Sequence, residues 1–419
     1  MTGRITKMNE YQAMDQKRKV FFALCVVGAF FVGLAYTWSV LQSPFVAQLG
    51  GDAVKATVVL CYTLTVVSST MSPSILGAWI KKLGPKKTML IGSLLFGIGY
   101  IISGYTRSMP LFFIFFGLGT GIGSGLIYPT IMGYMASLYP DKQGTISGTI
   151  AGVYGGAAII WSPLLARMID AKSLGFALTV AGLTALIVIF AVAMMIQPVP
   201  EGYIEYKRSQ GNTDTRKKTK NTKLPDLTRG QMVKTSMFYV AIIAFAFGCT
   251  SGMMVISQVS SIMQESFAMT ATKAALFVSV MSFASMAGRF LWGSVTDHFD
   301  KYVTLSIICG LPVITMGIMA ASTNLVVDVI CMAVTALCYG GFGSTITPIT
   351  ADLFGSKHVS ENYGVMYLAF GFAGLFGPQI AVKLSHSGNY STAFLVAALI
   401  SAISFAMALI VRKKVLSNS

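Results

Sequence analysis

QPVPEGYIEYKRSQGNTDTRKKTKNTKLPDLTRGQMVKT, residues 197–235, is the one long polar stretch in a chain that is otherwise apolar from end to end. Proline, charge and a scarcity of apolar side chains make it a connector with room for a short surface helix, because it cannot bury enough surface to fold alone. Outward from it on the N-terminal side, apolar runs fall at about 20–43, 54–80, 88–105, 110–138, 144–168 and 175–196. On the C-terminal side they fall at about 236–263, 271–296, 302–321, 324–352, 361–385 and 390–411. Each approaches the roughly 20 residues that a helix needs to cross a bilayer. The connector therefore splits twelve expected membrane helices six and six. The expected parts are a tail (1–19), a six-helix bundle (20–196), the linker (197–235), a second six-helix bundle (236–411) and a tail (412–419).

Composition agrees with an all-α membrane protein. Hydrophobic residues make up 54% of the chain and charged residues 11%, against about 25% charged in soluble domains. The net charge is +16, but its distribution argues against nucleic acid. With the N-terminus in the cytoplasm, the two tails and the loops on that side hold 24 of the 31 Lys and Arg, and the opposite loops hold 6. That asymmetry is the positive-inside bias, and it places both termini and the linker in the cytoplasm. The run RKKTK (216–220) reads as solvated linker facing anionic lipid headgroups, since no folded basic domain carries it. The first apolar run is too long for a signal-peptide core and no small-residue cleavage site follows it, so an uncleaved multi-pass protein of the inner or plasma membrane is expected.

The six cysteines, Cys25, Cys61, Cys249, Cys309, Cys331 and Cys338, all lie inside apolar runs without metal or disulfide spacing, and read as small core residues. The three histidines, His298, His358 and His386, lie at helix ends. No metal, cofactor or nucleophile constellation converges, so enzyme chemistry is not expected.

The halves echo each other. Gly77-Ala-Trp-Ile-Lys-Lys-Leu-Gly-Pro-Lys-Lys closes the second run and Gly293-Ser-Val-Thr-Asp-His-Phe-Asp-Lys closes the eighth, 216 residues later. Pro129 is answered by Pro348, and Ser162-Pro163 by Gly377-Pro378. Duplicated bundles mark secondary transporters, whose sites lie between the repeats near the midplane. A channel is compatible with duplication alone, but twelve helices and a central linker favour alternating access. The glycine run GLGTGIGSG (117–125) sets Gly117, Gly121 and Gly125 on one helix face and Gly119 and Gly123 on another. Inside an apolar span this reads as close helix contact rather than a phosphate loop, which needs a preceding strand.

MAGRFLWGS (286–294) poses the sharpest question. Between Ala271 and Val295 the only charges are Lys273 and Arg289, and an arginine at a helix centre costs roughly 2.5–3.5 kcal/mol on insertion scales. Snorkelling to the loop near Thr296 would span seven residues, about 10 Å of helix, more than the stem comfortably covers. An internal ion pair lacks an acid. Asp328 and Asp352 stand near opposite ends of the tenth run, where a solvated helix end is the ordinary reading, and the midplane has none. The remaining counterpart is a substrate anion, whose carboxylate fits the planar fork of guanidinium donors. Tyr36, Tyr128, Tyr154, Tyr339 and Tyr367 also lie within spans, where each phenol needs a hydrogen-bond partner.

The loop after the second run resembles the G-x-x-x-D-R-x-G-R-R signature of the major facilitator superfamily at Gly77, Lys82, Gly84 and Lys86, with Lys allowed for Arg. Lys81 and Pro85 depart from it. The second-half copy, with Gly293, keeps the acid as Asp297. The resemblance implies a twelve-helix fold whose loops latch a gated state through Gly77, Gly84, Lys86, Gly293 and Asp297. LAYTWSVLQSPF (34–45), with a Tyr-x-Trp-Ser pattern, resembles the oxalate–formate antiporter family within that superfamily. The likeness continues through Tyr128 in GLIYP, Tyr154 in GVYGG, Arg289 in AGRFLWG and Asn362-Tyr363-Gly364. That family groups with monocarboxylate transporters. The resemblance implies that Arg289 anchors a carboxylate and that the five tyrosines line the cavity.

One departure discriminates. Where the oxalate transporter of that family carries a second-carboxylate lysine, this chain reads MYLAFGFAG (366–374), with Phe370 at that position. One buried cation suits one carboxylate. The expected function is alternating-access transport of a small monocarboxylate such as lactate, pyruvate or formate, by proton symport or anion exchange. A dicarboxylate exchanger and a non-transporting ligand sensor are the alternatives. The expected partners are a small carboxylate anion, protons and the bilayer, with no nucleic acid, and the chain acts as a monomer.

Overall fold

The computed structural model describes residues 2–139, 143–200, 202–203, 206–207, 226–355, 359–385 and 388–418. The run RKKTK and His358 and His386 fall outside these. The described chain is all-α, and eleven helices among these residues are long and apolar enough to cross a membrane. The second continues beyond Pro73 as part of the helical tract Lys55–Ser103, which breaks at Gly84 (φ 73°, ψ 170°). That left-handed φ suits only glycine, and Pro85 then restarts the chain as a helix over 85–103, where the third of the twelve expected crossings falls. The eleven spans and this helix are consistent with the twelve crossings expected.

In chain order α1 comprises Thr2–Val32, a 3-10 segment Gly33–Thr37 and Trp38–Leu49. Helices α2 and α3 are 55–83 and 85–103. Helix α4 joins Met109–Phe112, a π segment Phe113–Thr120 and Gly121–Leu138. Helix α5 is Gln143–Gly156 and Ala158–Ala171, and α6 is Leu174–Met195. The second half holds α7 (Ser236–Phe267), α8 (Ala271–His298), α9 (Lys301–Ala321) and α10 (Leu325–Phe354). It ends with α11 (Val359–Met366 and Leu368–Leu384) and α12 (Ser391–Asn418). Large apolar side chains at helical spacing remain exposed, such as Leu183, Ile187 and Phe190 on α6 and Leu395, Leu399 and Ile403 on α12. A lipid surround explains such stripes, which water would penalise.

The glycine run on α4 packs as its spacing predicts. A Cβ on Gly125 would stand 2.4 Å from the Ser69 carbonyl of α2, and one on Gly123 would stand 2.7 Å from the Phe96 nitrogen of α3. Backbone meets backbone there, so the motif is structural. Gly33 plays the same part between α1 and α5. A Cβ on it would fall 2.3 Å from the Ala157 Cβ and 2.4 Å from the Tyr154 carbonyl oxygen. Gly33→Ala should lower stability by roughly 1–3 kcal/mol through overpacking, read as a drop in melting temperature in detergent.

The halves meet along three seams, α1 with α7, α2 with α11 and α5 with α8. Two of them diverge toward the linker face. On α5, Gly148, Gly152 and Gly155 form one stripe. Gly152 lies against Phe290 of α8 and Gly155 against Arg289, but nothing lies within 4 Å of a Cβ at Gly148. On α11, Gly374 lies against Val66 and Gly371 against Thr70, whereas Gly364 again meets nothing within 4 Å. At the opposite end Lys55 Nζ of α2 pairs with Glu265 Oε1 of α7 at 2.6 Å, and Thr272 of α8 hydrogen-bonds Asp170 of α5. Among the described residues the halves are pinned together on the face opposite the linker, and the glycine stripes of α5 and α11 run out of cross-seam contacts toward the linker face.

Candidate functional site

Arg289 does not snorkel. Its guanidinium crosses from α8 into the first half, where Nη1 donates to the Ala151 carbonyl oxygen of α5 and Nη2 donates to the Tyr36 hydroxyl at 3.0 Å. The carbon of the fork sits 5.7 Å from the Tyr36 ring centroid. A Cβ at residue 155 would overlap the fork, standing 1.7 Å from Nη1, so Gly155 leaves the guanidinium its seat on the α5 backbone. Among the described residues no ion pair involves Arg289. Its partners are a neutral carbonyl and a phenol, and the side chain is only partly buried.

The helices that position this seat are irregular where they reach it. Tyr36 lies in the 3-10 segment of α1. Helix α5 is interrupted at Ala157, just past Tyr154 and Gly155, and α11 at Tyr367. Helix α4 carries its π segment about two turns before Tyr128. Interrupted helices near the midplane supply backbone groups and bends at transporter sites. Pro129, Pro163, Pro348 and Pro378 lie within α4, α5, α10 and α11, away from these interruptions.

Two aromatic groups face each other across the seam. In the first half, Tyr154 meets Tyr36 edge-on, with centroids 5.1 Å apart, and stacks on Tyr128 at 4.1 Å. In the second half, Phe370 lies 5.1 Å from Tyr367 and 5.8 Å from Tyr339. Tyr367 in turn lies 5.5 Å from Tyr363. Arg289 is within electrostatic range of Tyr128, Tyr339 and Tyr363. Of the six other residues expected at the substrate site, Tyr36, Tyr128, Tyr154 and Tyr339 stand near the fork, and Tyr367 and Phe370 join this group through their ring contacts. The Tyr339 hydroxyl lies 3.8 Å from Met253 Sδ.

Sequence reasoning passed over Ala151, Gly155 and Tyr363 as site residues. Tyr363 precedes Tyr367 by one turn, so its helical spacing could have placed it. The carbonyl of Ala151 left no signal in the sequence, because any residue supplies one. Asn362, beside Tyr363, is structural, and its Nδ2 donates to the Leu227 carbonyl at 3.0 Å.

Of the expected latch residues, Gly84, Lys86 and Gly293 make their described contacts within their own halves. Gly84 makes the turn between α2 and α3. Lys86 Nζ donates to the Met194 carbonyl at 3.3 Å, a favourable place for a cation at the end of α6. Gly293 faces Ser344 of α10. What surrounds Gly77 and the Asp297 side chain lies outside the described residues. The two candidate acids are not simply solvated. Asp352 pairs with Lys301 at 2.7 Å and accepts from Tyr302. Asp328, at the α10 start, is 5% exposed with Oδ1 unpartnered among the described residues. Tertiary packing covers both helix ends that looked open in the sequence.

The sequence profile of the Major Facilitator Superfamily matches residues 20–327 and 242–418 of this chain. The oxalate:formate antiporter of Oxalobacter formigenes is 26% identical over 378 residues, covering 90% of this chain and 87% of its own. Monocarboxylate transporter 12 of Xenopus laevis is 21% identical over 324 residues, covering 73% and 70%. A crystal structure of a bacterial homologue of the human lysosomal transporter Spinster, inward-facing and unoccupied, superposes with a TM-score of 0.71 at 13% identity. It covers 96% of this chain and 98% of that one.

Proposed function

Because the chain belongs to the Major Facilitator Superfamily and is thus a multi-pass membrane transporter, we propose that it carries a small monocarboxylate by alternating access, with Arg289 as the anchor. The observation that carries this reading is a permanently charged fork set among tyrosines between two halves, with only neutral partners among the described residues. A carboxylate oxygen pair matches the two donors that now rest on Ala151 and Tyr36. Binding cancels the guanidinium charge and so lowers the cost of enclosing it when the halves close around the site.

Phe370, flanked by Tyr367 and Tyr339, sets the size and polarity of the rest of the cargo. An aromatic wall accommodates a methyl or hydrogen better than a second carboxylate, which would be buried unpaired. Lactate, pyruvate and formate fit this description. Proteins similar to this one include an oxalate:formate antiporter and a monocarboxylate transporter, and a small carboxylate is common to both names. Exchange needs no titrating residue, and in symport the proton travels with the weak acid.

Counterflow in proteoliposomes tests the reading. Internal lactate, pyruvate or formate should accelerate uptake of the labelled acid, whereas acceleration by neutral solutes or by oxalate alone would overturn it. Tyr36→Phe removes the hydroxyl that orients Nη2. A hydrogen bond to a charged group contributes about 1.5–3 kcal/mol, so the half-saturation concentration should rise roughly ten-fold or more while maximal exchange changes less. An unchanged saturation curve would show that Arg289 needs no phenol to hold it.

A further inference from the structure

Tyr36 begins a polar stripe that leads away from Arg289 toward the face opposite the linker. Ser39 and Ser43 follow it at three and seven residues, with Gln42 beside them. Across the α1–α7 seam, Gln258, Ser261 and Glu265 share the same spacing on α7. Gln42 Nε2 donates to Ser261 Oγ at 3.1 Å, joining the two helices. Ser39 and Gln258 are fully buried and Gln42 is 1% exposed. Ser39 Oγ, Gln42 Oε1 and both amide atoms of Gln258 nevertheless have no hydrogen-bond partner among the described residues. Buried amides are almost always paired, so this cluster is polar lining without a fixed protein partner.

The stripe ends in a cavity of about 220 Å³ between the halves, lined by Gln42, Ser43, Asp52, Lys55 and Glu265 among others. Its rim is the Lys55–Glu265 ion pair. Tyr390, just before α12, donates to the second carboxylate oxygen, Oε2, at 2.9 Å, so Glu265 is held from its own half while Lys55 reaches it from the other.

We infer that the α1–α7 seam is the route by which the anion reaches the face opposite the linker, with the Gln42 and Gln258 amides as its lining and Lys55–Glu265 as its gate. The assignment of an anion as cargo rests on the function proposed above; the gate itself does not. Amide N–H groups suit a carboxylate in transit because they bind it without the full charge of a second arginine. Closed, Lys55 and Glu265 neutralise each other, and Asp52 is the remaining charge on the lining. Open, Tyr390 keeps a partner on Glu265, and Lys55 is released to meet an incoming anion.

A cysteine at Ser39 in the full-length protein reads the gate directly, through its labelling by a membrane-impermeant maleimide from the opposite face of right-side-out vesicles. The six native cysteines are buried and set the background. Lys55→Glu should speed labelling roughly ten-fold by shifting the population toward the open state, Glu265→Gln should do so less, and the swap Lys55→Glu with Glu265→Lys should restore protection. Equal labelling in all of these, or no recovery in the swap, overturns the gate. Gln258→Leu should slow uptake while leaving the stabilisation by added lactate intact. Unchanged uptake overturns the lining. Labelling requires no substrate, so a wrong cargo leaves the gate result standing and shows itself as absent lactate stabilisation in the parent protein.

Discussion

Arg289→Ala should abolish carboxylate uptake into proteoliposomes while the protein still purifies as a folded species. The loss follows from the chemistry of the seat. Truncating one member of a buried, hydrogen-bonded charge pair costs about 2–5 kcal/mol, which corresponds to a rate loss on the order of a hundred-fold or greater at limiting substrate. Folding should survive, because the guanidinium rests on a helix carbonyl and a phenol rather than on an acid that would be orphaned. Removing a half-buried cation that forms no ion pair among the described residues leaves no charge unpaired, so the melting temperature should hold. Arg289→Lys separates charge from geometry. A point charge on a flexible stem keeps the attraction but loses the fork, and partial uptake with a raised half-saturation concentration is expected. Normal uptake by the alanine variant would remove Arg289 from the substrate path.

The same residue shows how much of the site could be read from sequence. A cation deep in an apolar helix, sixteen residues past Lys273, is visible without coordinates, and so is the lack of an acid at its depth. The polar connector and the apolar runs on either side of it are legible in the same way, since hydropathy reports directly on the lipid boundary. What stayed hidden depends on atoms distant in sequence. The Ala151 carbonyl is chemically anonymous. The Lys55–Glu265 pair joins residues 210 apart, and each alone looks like an ordinary loop charge. The burial of Asp328 comes from neighbouring helices rather than from its own turn. The 3-10 and π segments at Tyr36 and before Tyr128 arise where helices must bend around one another. Gly33 carries part of that signal, but only in contact with Ala157. The open space beside Gly148 and Gly364 depends on how helices distant in sequence approach each other, which no local pattern reports.

Phe370→Lys should reverse the preference between one carboxylate and two. Phe370 lies on α11 with its ring against Tyr367 and Tyr339, on the second-half wall of the aromatic group around Arg289. A lysine there buries its stem along those rings and projects an ammonium into the space the cargo occupies. With lactate bound, Arg289 is neutralised but the new cation is not, and enclosing an unpaired charge costs several kcal/mol. Lactate uptake should therefore fall roughly ten-fold or more. A short dicarboxylate meets both cations at once, so oxalate should begin to compete for the site and to drive counterflow. Phe370→Leu provides the contrast. It keeps the wall apolar while opening space, so it should retain monocarboxylate transport and shift preference toward bulkier acids. The pair distinguishes charge from volume, since both variants remove the ring but only one adds a cation. If oxalate fails to compete in the lysine variant and lactate uptake is undiminished, then Phe370 does not face the cargo, and selectivity must reside in the tyrosines of the first half.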